Sequence, residues 1–69
     1  MNKAVEMFVN VAKENNCTTE KQVKDLIRGI FVQRCKEIGQ KMSEGRLNAL
    51  TDDYTESVCI ELNIPQDGK

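Results

Sequence analysis

Apolar residues at the start of the chain recur in helical register. With 100° per residue from Val5, the side chains of Ala4, Val5, Met7, Phe8, Val9, Val11 and Ala12 cover roughly 200° of a helix surface. Lys3, Glu6, Asn10, Lys13 and Glu14 fill the remainder. The pattern predicts a helix over residues 2–15, with an apolar arc wider than one neighbouring helix covers. It therefore has to touch two elements, in its own chain or in a second copy. Asn15-Asn16 is the expected stop, because asparagine tolerates the left-handed conformation that closes helices.

Thr19-Glu20-Lys21-Gln22 has the form of a capping box. The threonine hydroxyl accepts from the Gln22 N–H, and the Gln22 side chain reaches back to the cap. From there Val23, Leu26, Ile27, Ile30, Phe31, Cys35, Ile38 and Met42 form a drifting apolar stripe, which predicts a second helix from about Glu20 to Met42. Such a helix is roughly 34 Å long and would form the spine of the fold. Gly29 and Gly39 weaken it. Gly39 is a place for it to kink or end, and Gly29 is either a point of close approach for another helix or a neutral surface glycine.

Ser43-Glu44-Gly45 breaks the stripe, after which Leu47, Leu50, Tyr54, Val58 and Leu62 return to helical spacing. Thr51 is a natural N-cap, with Asp52 and Asp53 suited to the positive end of the following helix. Asn63-Ile64-Pro65 is the expected stop. Val58, Ile60, Leu62 and Ile64 also alternate strictly with polar or small residues, as in a half-buried strand. Helix is the preferred assignment, because the end signals agree with it and no second strand exists to pair with. The fold expected is an all-α domain of three helices with a long central second one. It spans residues 1–64 and carries a flexible tail over 65–69.

At 69 residues the chain holds one domain with a marginal core, a size that commonly leans on a partner. Aromatics are confined to Phe8, Phe31 and Tyr54. The formal net charge of −1 speaks against strong global attraction to nucleic acid or anionic membrane. The charge is segregated, however. Residues 20–46 carry seven bases and four acids, net +3, whereas residues 47–69 carry one base and five acids, net −4. Two helices that complement each other account for this split, and so does a basic binding face with an acidic counterpart.

Cys17, Cys35 and Cys59 are odd in number and widely spaced, and histidine is absent. No metal site and no cofactor are expected. The thiols are expected to be reduced and the protein cytoplasmic, with no membrane span. Nucleophilic catalysis lacks a base to activate Cys or Ser. Asp52 and Asp53, as helix neighbours, do not face each other for acid–base work. No enzyme is expected.

Two binding functions remain. Lys21, Lys24, Arg28 and Lys36 form a basic ridge on the second helix that can neutralise phosphates in DNA or RNA. Asp25 interrupts it, and no aromatic accompanies it to stack a base. Protein association is the preferred function, as a small regulator, adaptor or inhibitor of a partner and as a homodimer through the first and second helices. Phe31, Val32 and Arg34 are the expected binding residues, with Arg28 as a rim charge. Val32 projects opposite the main stripe, between Arg28 and Lys36. Arg34 falls inside the stripe, where it must snorkel or meet an acid such as Asp52, Asp53, Glu56 or Glu61.

Overall fold

The computed structural model describes residues 3–66 and consists of three α-helices: α1 (Lys3–Glu14), α2 (Glu20–Ile38) and α3 (Glu44–Leu62). No strand occurs among the described residues. Most of the tail assigned to 65–69 lies outside them, as does the expected first helical position, residue 2.

All three helices end in the same way. A residue with positive φ follows the last turn: Asn16 (55°), Gly39 (70°) and Asn63 (57°). The next N–H then reaches back to a carbonyl five residues earlier, Cys17 to Ala12 (3.0 Å), Gln40 to Cys35 (3.0 Å) and Ile64 to Cys59 (2.8 Å). Carbonyls that the helix leaves unpaired are thereby satisfied. The start of α2 carries the complete capping box. The Gln22 N–H donates to the Thr19 hydroxyl, and the Thr19 N–H donates to the Gln22 side chain, both at 3.2 Å.

The α1 arc is filled in part within the chain, and Met7 stays exposed. Phe8, Val9 and Ala12 are buried together with Val23 and Ile27 of α2, Val58 and Cys59 of α3, and Ile64 beyond it. Each large aliphatic side chain removed from water contributes about 1.5–3 kcal/mol. One aromatic ring per helix forms a triangle at the centre. Phe8 lies 5.2 Å from Tyr54 and 5.6 Å from Phe31, and Phe31 lies 5.6 Å from Tyr54, centroid to centroid. These separations suit tilted and edge-to-face packing.

The structure corrects two expectations. First, α2 stops at Ile38 and does not run to Met42, because Gly39 adopts the left-handed conformation and the chain reverses over residues 39–43. At 19 residues α2 is equalled by α3. Second, α3 is capped by Ser43, whose hydroxyl accepts from the Arg46 N–H at 3.3 Å, and not by Thr51. Thr51 is buried inside α3, and its hydroxyl donates to the Leu47 carbonyl at 2.7 Å. Asp52 and Asp53 consequently sit in mid-helix. The preferred assignment of residues 57–62 holds, since they are helical. A strand would place Val58 and Ile60 on one face, yet Val58 is fully buried and Ile60 is exposed.

Helix length positions the binding surface. The 12 residues of α1 rise about 18 Å, whereas the 19 of α2 and of α3 rise about 28 Å. Ala4 and Met7 meet α2 around Ile30, Phe31 and Arg34. The last turn of α2 continues past the described part of α1, and Ile38 is 63% exposed there.

Candidate protein-binding surface

Among the described residues, four large apolar side chains face water: Met7, Val32, Ile38 and Ile60. Two of them border concave surfaces on α2. A cleft of about 260 Å³ is lined by Met7, Phe8, Ile30, Phe31, Arg34 and Tyr54. A groove of about 410 Å³ lies at the α2–α3 turn, with Val32, Cys35, Met42 and Leu47 as its apolar lining and Lys36 and Lys41 beside them.

The expected binding residues divide between these two surfaces. Phe31 belongs to the aromatic triangle and presents its outer edge to the cleft. Arg34 is exposed at the rim of the same cleft. It forms no ion pair with Asp52, Asp53, Glu56 or Glu61, so its charge is borne at the edge of an apolar hollow. Val32 lines the groove instead. Arg28, the expected rim charge, is engaged within the chain. It is half-buried, its guanidinium donates to the Asn48 side chain, and it lies 3.6 Å from Glu44. It ties α2 to the start of α3.

The basic ridge is likewise divided. Lys24 lies 2.8 Å from Asp52, and the hydrogen bond and charge of that carboxylate hold its ammonium above the ordinary lysine range. Lys24 and Arg28 therefore both serve the α2–α3 contact. Lys21 is exposed, and Lys36 lies on the groove about two turns beyond Arg28. The four cations do not form one free phosphate-binding row.

Met42, Leu47 and Lys41 complete the groove, Arg46 lines the hollow beside it, and none is legible as a site in the sequence. The apolar spacing carried α2 through Met42, which hid the turn that brings these residues against Val32 and Cys35. The Ser43-Glu44-Gly45 break was the available signal. Burial pushes the Cys59 thiol up, while Cys17 and Cys35 are half-buried. Among the described residues, no group of three or more Cys, Asp or Glu is placed to hold a metal ion. No described helix is long and apolar enough to cross a membrane.

No protein-family model matches the chain, and neither a curated protein nor a solved structure matches it.

Proposed function

We propose that the chain is a non-enzymatic module that binds another protein and acts as its regulator, adaptor or inhibitor. The observation that carries this is the exposed end of α2. Ile38, 63% exposed, stands one turn beyond the cleft that holds Phe31 and Arg34. An aliphatic knob, an aromatic edge and an arginine at the rim are the elements from which protein interfaces draw affinity. The guanidinium matches a carboxylate on the partner, and the cleft accepts an apolar side chain.

The use of Lys24 and Arg28 within the chain supports a protein partner over a phosphate backbone. Of the α1 arc that pointed to a homodimer through the first two helices, Phe8, Val9 and Ala12 are buried against α2 and α3 of the same chain, and Met7 stays exposed. Support for self-association through that arc rests on the part left exposed.

The test is Ile38→Glu beside Arg34→Ala, with partner capture measured by affinity purification. Both side chains are exposed, so the melting curve should be unchanged and capture lost. Undiminished capture by both variants would remove this surface from the interface.

A further inference from the structure

The groove at the α2–α3 turn has one sign of charge. Its apolar lining is Val32, Cys35, Met42 and Leu47. Lys36 and Lys41 flank that lining, and Arg46 lines the adjoining hollow that shares Cys35, Lys41 and Met42. No carboxylate lines either hollow. The two acids nearest in sequence are directed elsewhere. Glu44 lies 3.6 Å from Arg28, and Glu37 lines a hollow with Asp25 on another face of α2.

The other end of α3 has the complementary chemistry. Ile60 is 62% exposed. Asp53 and Glu56 precede it by seven and four residues, on its own strip of the helix. Glu61 follows directly, and no basic residue occupies the last turn of α3. The first turn of α3 carries Glu44, whose sign the helix dipole favours, beside Arg46, whereas the last turn carries Glu61 and no base, the sign the dipole disfavours there. Glu61 does little for α3 itself and is suited to a contact outside it.

We propose that a second copy of this chain seats the acidic C-terminal ridge of its α3 in this groove, with Ile60 inserted among Val32, Met42 and Leu47. Glu61 and Asp53 of one copy then face Lys36, Lys41 and Arg46 of the other. The contact joins unlike surfaces, groove to ridge. It goes beyond the partner-binding role and uses different residues, so either can fail without the other.

Sedimentation equilibrium with a charge-reversal pair tests the contact. The wild type is expected to rise above its monomer mass of 7.8 kDa with concentration, and less so in high salt. Lys36→Glu with Arg46→Glu reverses the groove, and Asp53→Lys with Glu61→Lys reverses the ridge. Each double variant alone should sediment as a monomer. Their equimolar mixture should associate again, because the native ridge of one meets the native groove of the other and the two reversed surfaces also match, and recovery also shows that both are folded. Adding Ile60→Ser to both chains should weaken the mixed complex at least tenfold, which separates the seated knob from general charge attraction. A wild type that stays at monomer mass up to about 1 mM, the limit of weak association, overturns the proposal. So does a mixture that fails to associate or that ignores Ile60→Ser. Binding of a synthetic acidic amphipathic peptide to the groove of a monomeric wild type would assign the groove to a foreign helix and overturn the self-contact.

Discussion

The ring of Phe8 meets that of Tyr54 edge to face at 5.2 Å, and this pair joins the shortest helix to the last one. Phe8 is 3% exposed and also touches Phe31. Truncating a buried phenylalanine costs about 3–5 kcal/mol. The whole stability of a domain this size is roughly 3–10 kcal/mol. Phe8→Ala should therefore abolish or nearly abolish the cooperative circular dichroism melt. A melt lowered by only a few degrees would show that α1 contributes little to the core.

Buried Thr51 offers a finer test. Its hydroxyl donates to the Leu47 carbonyl of its own helix, so nothing loses a needed partner when the hydroxyl is removed. Thr51→Val keeps the shape and should change stability by less than about 1 kcal/mol in either direction. Thr51→Ser keeps the hydroxyl, removes a methyl group, and should cost about 1 kcal/mol. Urea denaturation midpoints would rank the two, and the reverse order would mean that the hydroxyl bond holds α3 in place.

Two glycines of α2 should respond with opposite signs. Gly29 has space around it and ordinary helical geometry. Gly29→Ala should stabilise by about 0.5–1 kcal/mol. Gly39 holds φ at 70° to close the helix. Gly39→Ala should destabilise by about 1–2 kcal/mol. Thermal melts of the two variants check this directly.

Alkaline pH should weaken the fold in two steps. Burial, followed by the nearby Glu20 and Cys17, raises Cys59 above its ordinary 9.0. The folded chain thus keeps a proton that the unfolded chain loses, and stability falls as pH rises past about 9. Lys24 is raised above 10.5 by Asp52. Its contribution is complete below 10.5 and is lost as pH climbs through the folded value. Lys24 and Asp52 are both largely exposed, so this second step should stay below about 1 kcal/mol. Cys59→Ala should remove the first step, and Lys24→Met the second, in denaturation midpoints measured across that range. Below neutral pH neither group contributes a change.

Legibility followed local chemistry. The capping box at Thr19 and Gln22 and the asparagine stops at Asn16 and Asn63 rest on side-chain-to-backbone bonds within a few residues, and all are present. The end of α2 was obscured because Ile38 and Met42 are four apart, a spacing that mimics a continuing helix. The turn prevailed because Gly39 reaches the left-handed region without strain and Ser43 caps a new helix four residues later. Thr51 misled for a related reason. A threonine hydroxyl serves equally as an N-cap acceptor or as a buried donor to the preceding turn, and only tertiary burial separates the two. The binding surface was half legible. Arg34 within the stripe is visible from its angle, but its place at the rim of a cleft with Met7 and Tyr54 depends on how the three helices pack. Arg28 was read as a free charge because its partners, Asn48 and Glu44, lie across a turn that the helix assignment had displaced.

Partner capture from native lysate, with and without nuclease, tests the central claim most directly. The tagged wild type and the Ile38→Glu variant would be compared by mass spectrometry. A stoichiometric protein that survives nuclease with the wild type and is absent with the variant is the result the account predicts. Material recovered only when nucleic acid is intact, and equally by both chains, would contradict it.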